Sequence, residues 1–304
     1  MNFPIATEWF ASKEWQPHEF RQQCWEAITK GYSGLLNAPT GYGKTYAIWF
    51  GVLESYFAQK KRPKGLHCLW ITPLRALSKE IYAAAQRVSD ELGLDYDIAL
   101  RTGDTSAKER LQQKKNTPHA LITTPESMHL LIAQKGYESF FSNLQFVVID
   151  EWHELLGTKR GVLVELALSR LKTINPRLKI WGISATIGNL KEAKEVLLGV
   201  DPPKNKLVRA QLDKKIEVHT LLPETIEKYP WAGHLGLNML DAVLPIIDQN
   251  NSTLIFTNTR WQCEMWYQSL LARAPELAGV IALHHGSLSD HLGLWVVQAL
   301  HGGL

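Results

Sequence analysis

The sequence lacks the features that would place it in a membrane or outside the cell. No stretch approaches the roughly 18–20 consecutive apolar residues of a membrane span. The start, "MNFPIATEW", has neither the basic residues nor the apolar run of a secretion signal. Cysteine is scarce: Cys24, Cys68 and Cys263 are the only three in 304 residues. They lie too far apart for a zinc spacing or a disulfide framework, which points to a reducing cytoplasm. An excess of one charge is missing too. A net charge of +3 is too small to imply a nucleic-acid partner by itself. There is no internal repeat and no low-complexity tract. What remains is ordinary globular composition in a chain long enough for two domains.

Strand-like and helix-like runs alternate through residue 200. Strands are expected at "SGLLNA" (33–38), "LHCLWIT" (66–72), "DIALRT" (97–102), "ALITT" (120–124), "FVVID" (146–150) and "KIWGISA" (179–185). Amphipathic segments fall between them at 44–59, 75–92, 126–134, 161–172 and 189–198. This order predicts βαβ units and a parallel sheet. The strand runs are continuously apolar, as suits strands covered on both faces. Residues 201–214 read as a linker, so the first domain spans 1–200. A second α/β unit over 215–304 is expected, with strands at "KIEVHTLL" (215–222), "STLIFTNT" (252–259) and "GVIALHH" (279–285) and a helix around 235–248.

Residues 38–45, "APTGYGKT", fit a phosphate-binding loop between a strand and a helix. Gly41 and Gly43 let the backbone curl so that its N–H groups point at phosphate oxygens. The helix beginning near Lys44 adds its positive end. Lys44 is expected to reach the β- and γ-phosphates of a nucleotide, and the Thr45 hydroxyl to bind Mg²⁺. "FVVIDEWHELLG" (146–157) then runs an apolar strand straight into Asp150, Glu151, Trp152 and His153. Carboxylates avoid such a position unless something cationic or catalytic holds them. Asp150 is expected to hold Mg²⁺, Glu151 to orient and deprotonate an attacking water, and His153 to sense the nucleotide.

"APTGYGKT" followed by "DEWH" resembles motifs I and II of a superfamily 2 DExH-box helicase, and further stretches follow in that family's order. "ITPLRAL" (71–77), "RTGDT" (101–105) and "TTPES" (123–127) resemble its nucleic-acid-contacting segments. "SAT" (184–186) resembles motif III, "FTNTR" (256–260) motif IV and "HHGSL" (284–288) the DNA-facing loop after it. More narrowly, "SGLLNAPTGYGKTYAIW", "DEWHELLGTKRG", "WGISATIGNL" and "PWAGHLG" are similar to the ligase-associated branch of the large helicase-related (Lhr) family. The resemblance implies an α/β fold: a RecA-like parallel-sheet motor domain followed by an incomplete second RecA-like domain. It implies an ATP-dependent DNA helicase of DNA repair in the bacterial cytoplasm. Its cofactors would be ATP and Mg²⁺. Its partners would be single-stranded or tailed duplex DNA, and a DNA ligase and nuclease of the same system.

Site roles carry over by position. Ala38, Pro39, Thr40, Gly41, Tyr42, Gly43, Lys44 and Thr45 are implied to bind ATP. Lys44, Asp150, Glu151 and His153 are implied to be catalytic, with Thr45 and Asp150 on the metal. Ser184, Ala185 and Thr186 are implied to couple hydrolysis to DNA. Sugar-phosphate contacts are implied for Thr72, Pro73 and Arg75, for Arg101, Thr102 and Gly103, and for Thr124, Pro125 and Glu126. In the second unit they are implied for Asn258, Thr259 and Arg260, and for His285, Gly286 and Ser287.

Two departures stand out. The family's adenine-reading glutamine falls on Arg21, which has only donors, so Gln22 beside it is expected to take over. The family's motifs V and VI, with their arginine fingers, have no counterpart up to Leu304, where only Arg260 and Arg273 follow residue 256. The chain therefore reads as the N-terminal part of a helicase. The alternative is an ATP- and DNA-binding module without motor activity. The basic stretches "KKRPK" (60–64) and "KK" (114–115) read as solvated faces, with an added DNA footprint as the other option.

Overall fold

Short apolar runs that are buried along their whole length need cover on both faces. The runs at 68–71, 120–123 and 146–149 are buried throughout. The computed structural model describes residues 2–200, 204–210, 217–222 and 236–302. The chain divides into two units, Met1–Asp213 and Lys214–Leu304.

The first unit starts with α1 (Pro4–Ser12) and α2 (Glu19–Thr29). Then follow β1 (Ser33–Asn37), α3 (Lys44–Phe57), β2 (Cys68–Ile71), α4 (Arg75–Glu91), β3 (Ile98–Arg101) and α5 (Ala107–Lys115). Next come β4 (Ala120–Thr123), α6 (Pro125–Ile132), α7 (Tyr137–Phe141), β5 (Phe146–Ile149), α8 (Trp152–Leu155) and α9 (Lys159–Ile174). β6 (Lys179–Ser184), α10 (Leu190–Leu198) and β7 (Asn205–Arg209) complete it. The seven strands form one sheet in the order β3-β4-β2-β5-β6-β1-β7, and every paired neighbour is parallel.

Side chains alternate across the sheet and feed two cores. Leu36, Trp70, Val148 and Ile183 face the core built with α1–α4, where Trp9, Trp25, Trp49 and Phe50 are buried. Leu35, Leu69, Val147 and Ile180 face the other core, filled by Met128, Phe141, Trp152, Leu168 and Leu197. Some helices start on side-chain caps. Ser106 and Glu109 form a capping box on α5, and the Thr158 hydroxyl accepts from Gly161 N at the start of α9. For α1 the cap comes from another helix: Ala6 N donates to Glu54 Oε1 of α3 at 2.9 Å.

Two expectations need correction. Residues 205–209 are not linker but β7, paired with β1 in the register Leu36↔Val208. As an edge strand it buries only Val208 fully, so its polar residues hide the strand pattern. Residues 201–203 and 211–216 lie outside the described residues.

The second correction concerns the other unit, described by itself. It has a 3₁₀ turn at Leu237–Met239, α11 (Leu240–Gln249), α12 (Arg260–Arg273), a 3₁₀ turn at Pro275–Leu277 and α13 (Asp290–Gly302). The strands expected at 215–222, 252–259 and 279–285 are absent from its described residues. A strand exists only when a neighbour completes its ladder, and Leu254 and Phe256 stand 64% and 89% exposed instead of packed. The expected second RecA-like sheet is thus not formed among the described residues. Residues 223–235, which hold most of "PWAGHLG", also lie outside them. Among the described residues no helix is long and apolar enough to cross a membrane.

Candidate nucleotide and nucleic-acid sites

All ladders are parallel, so the strands' carboxyl ends share one edge of the sheet, where ligands of open α/β folds bind. The motifs leave from that edge and are sorted in space, although they are interleaved in sequence. The phosphate loop follows β1, "SAT" closes β6 and "DEWH" follows β5, three adjacent strands. "ITPLRAL", "TTPES" and "RTGDT" run from β2, β4 and β3, the next three.

In the first group, Gly43 sits in the left-handed region at φ 66° as the cap of α3. A Cβ there would lie 2.7 Å from Arg21 Nη2. The Arg21 guanidinium donates to the Tyr42 carbonyl at 2.8 Å and lies 5.1 Å over the Phe10 ring. Burial lowers its pKa from the ordinary arginine value. Arg21 is therefore built into the phosphate loop, while Gln22 is exposed. Ala38 is buried, Pro39 half-buried, and Thr40 and Gly41 exposed at the loop's turn.

Lys44 is buried, and its Nζ lies 3.2 Å from Glu151 Oε1. Asp150 is buried as well; Trp70 Nε1 donates to Oδ2 at 3.2 Å and Glu151 N to Oδ1 at 2.9 Å. Burial, then the Glu151 charge, pushes the Asp150 carboxyl up to about 6. Glu151 holds φ 44°, ψ 50°, a left-handed conformation rare outside glycine and a mark of functional strain. Its Oε2 has no hydrogen bond and lies 3.4 Å from His153 Nδ1. That nitrogen is also 3.1 Å from the Ser184 hydroxyl, so "DEWH" and "SAT" are in direct contact. Ala38 N donates to the Ser184 carbonyl and Asn37 Nδ2 to the Ala185 carbonyl, tying β1 to β6 at the same place. Thr186 is exposed beyond them.

This donor set suits Mg²⁺, which takes hard oxygen ligands and keeps several waters. Asp150 supplies a carboxylate that burial and the Glu151 charge hold above its ordinary pKa, and a divalent cation would favour its charged form. Thr45, half-buried in the first turn of α3, supplies a hydroxyl.

In the second group the threonines turn inward. Thr72 is buried, donates to the Leu74 carbonyl at 3.0 Å and meets the Ser78 hydroxyl. Thr124 is buried against Ser127 at 3.3 Å, and Thr102 is buried with its Oγ1 accepting from Asp104 N. Their hydroxyls are thus spent on shaping the loops. Arg101 is 3% exposed, whereas Arg75 and Gly103 face solvent. One residue outside the expected set joins two loops. Arg160 of α9 forks onto Glu126 at 2.6 and 3.1 Å and donates to the Pro73 carbonyl, beside the buried Pro125.

In the second unit, Arg260 donates to the Ser287 hydroxyl, and His285 Nε2 lies 3.6 Å from Glu264 Oε1. "FTNTR" and "HHGSL" are thus adjacent. Thr259 caps α12 by accepting from Gln262 N, and the Asn258 N–H donates to Gln262 Oε1. Gly286 is exposed between His285 and Ser287.

Residues 18–195 match the DEAD/DEAH box helicase family. The chain belongs to that family. It is 32% identical to the ATP-dependent helicase Lhr-Core protein 2 of Thermococcus barophilus, over 91% of this chain and 34% of that protein. It is 29% identical to the Lhr helicase/uracil glycosylase of Escherichia coli, over 94% of this chain and 21% of the relative. The Mycobacterium smegmatis helicase Lhr, solved with single-stranded DNA and AMP-PNP, superposes with a TM-score of 0.73 at 26% identity, covering 99% of this chain and 40% of that one. The DUF1998 helicase MrfA shares the fold at a TM-score of 0.76 and 23% identity, over 98% of this chain and 44% of that one. The chain spans 34–37% of the length of the first curated relatives it matches. Two residues that serve the helicase motifs were not expected from the sequence. Trp70 shows there only as a strand tryptophan, and Arg160 only as part of "GTKRG". Their partners are 80, 34 and 87 residues away.

Proposed function

We propose that Met1–Asp213 is the ATP-binding motor half of an ATP-dependent DNA helicase, with Lys214–Leu304 the start of its second RecA-like domain. The observation that carries this is the contact chain Lys44–Glu151–His153–Ser184, set beside the buried Asp150. Lys44 has its charge where a β,γ-phosphate bridge lies in phosphate-loop enzymes. Glu151, drawn toward Lys44 here, is freed when phosphates take that lysine, and then orients and deprotonates a water. His153 passes the change to Ser184 at the end of β6. Thr45 and Asp150 would hold Mg²⁺, which neutralises charge on the phosphates when bound. Gln22, exposed beside Arg21, reads the base in this proposal, and equal use of ATP and GTP would count against it.

The loops after β2, β3 and β4 would hold the sugar-phosphate backbone of single-stranded or tailed duplex DNA without regard to sequence. A role in DNA repair, with a ligase and a nuclease as partners in the bacterial cytoplasm, rests on the ligase-associated resemblance alone. Copurification of such enzymes with the chain tests it.

A second reading is a module that binds ATP and DNA without turnover; it is favoured by the engagement of two arginines of the second unit, Arg260 with the Ser287 hydroxyl and Arg273 with Asp241 at 2.8 Å. Titration with a fluorescent ATP analogue, with and without Mg²⁺, tests the shared part. Binding that needs Mg²⁺ and is lost in Lys44→Ala is expected. Binding indifferent to both changes overturns the site.

A further inference from the structure

Three guanidinium groups meet the turn after β3. Arg75 of α4 places Nη2 so close to Gly103 that a Cβ there would lie 2.8 Å from it. Arg110 of α5 donates to the carbonyls of Thr102 and Gly103, both at 3.2 Å. Arg101, at the end of β3, is 3% exposed, and its Nη1 has no hydrogen-bond partner; neither has the buried Nε of Arg110. Among the described residues one carboxylate pairs with this group: Asp104 Oδ1 holds Arg75 Nη1 at 2.7 Å. Glu109, the next acid, is occupied in the Ser106 capping box. Asp104 itself is fixed by the turn, with its N–H on Thr102 Oγ1 and Thr102 N on Thr105 Oγ1.

A site with three cations, orphaned N–H groups and one surface carboxylate suits a phosphate. We propose that Asp104 is a built-in competitor for the strand phosphate: its carboxylate occupies Arg75 until a nucleic-acid phosphate displaces it. This rests on the nucleic-acid reading above and adds a regulatory residue to it. Arg75 and Asp104 are 62% and 53% exposed, so their pairing is weak and is exchanged readily for a ligand's phosphate. The carboxylate would keep the loop shut to weak or transient contacts.

The test is the affinity of the full chain for a fluorescein-labelled oligo(dT) strand, measured across a salt series. The variants are Asp104→Asn, Arg75→Ala and the double variant. Asp104→Asn is expected to tighten binding about two- to fivefold, the range of an exposed ion pair. The slope of log affinity against log salt should stay close to that of the unchanged chain, since Arg75 meets the same phosphate in both, and should flatten by about 0.7 in Arg75→Ala, one single-strand phosphate fewer. The gain should vanish in the Arg75→Ala background. A loss of affinity in Asp104→Asn, or a gain that persists without Arg75, overturns the proposal. In the first case the pair positions the turn, and in the second Asp104 acts only as a repelling charge. If the unchanged chain fails to bind the strand while its ATP-analogue binding is intact, the nucleic-acid reading falls, and the competitor with it.

Discussion

At the scale of single residues, Lys44 and Asp150 place ionisable groups in buried positions, which costs free energy unless partners hold them. Asp150 is buried with an indole and a backbone N–H as its hydrogen-bond donors. Trp70→Phe removes the indole donor while keeping an aromatic ring in the core. The Mg²⁺ concentration that half-saturates ATP-analogue binding should then rise about tenfold, the low end of what a lost supporting hydrogen bond costs a metal site. An unchanged Mg²⁺ requirement would remove Trp70 from the site. Glu151→Gln should keep MgATP binding and cut any turnover by about 10²–10⁴, the usual worth of a general base; equal loss of binding would assign it a binding role. Lys44, Thr45, Asp150 and Glu151 could be singled out in the sequence because loop and strand chemistry is local. Trp70, Asp104 and Arg160 could not, because each meets a side chain 80, 29 and 34 residues away that only the fold brings near.

Among the elements, six strands of the first unit were readable because continuous apolar runs between amphipathic segments have few other solutions. β7 escaped because an edge strand buries one face of a few residues, and its "NKLVR" reads as polar. The runs in 215–304 misled for the opposite reason: they carry strand composition, yet ladders are made by neighbours, and composition does not supply one. α1 was unmarked, and the structure shows what holds it. Trp9 and Phe10 are buried in the first core, and the carboxylate of Glu54 accepts from Ala6 N. Glu54→Ala would leave that N–H buried and unpaired, at about 1–3 kcal/mol. The melting temperature should fall in Glu54→Ala and largely recover in Glu54→Gln, which keeps an acceptor. Equal melting of all three proteins would show that packing alone seats α1. On α9, Arg160→Ala should weaken single-strand binding without moving ATP-analogue affinity, since Arg160 ties the loops after β2 and β4. A parallel loss of both would mean that it supports the whole sheet edge.

For the whole molecule, the asymmetry between the units sets what each does. The first has an open seven-stranded parallel sheet with a core on either face. In the second, the buried apolar residues among those described are Leu270, Ala274 and Val296, while Trp261, Val280 and Trp295 are more than half exposed. Amide hydrogen exchange should therefore show β1, β2, β5 and β6 protected and residues 252–257 exchanging rapidly. Uniform protection across both units would contradict this division. The edge holding Lys44, Asp150, Glu151, His153 and Ser184 is proposed above as an ATPase site answering to nucleic acid. The most direct measurement is ATP hydrolysis by the 304-residue chain, with and without single-stranded DNA, beside Lys44→Ala. Turnover should rise with DNA and disappear in Lys44→Ala. Turnover that ignores DNA, or that survives the loss of Lys44, would contradict the proposal.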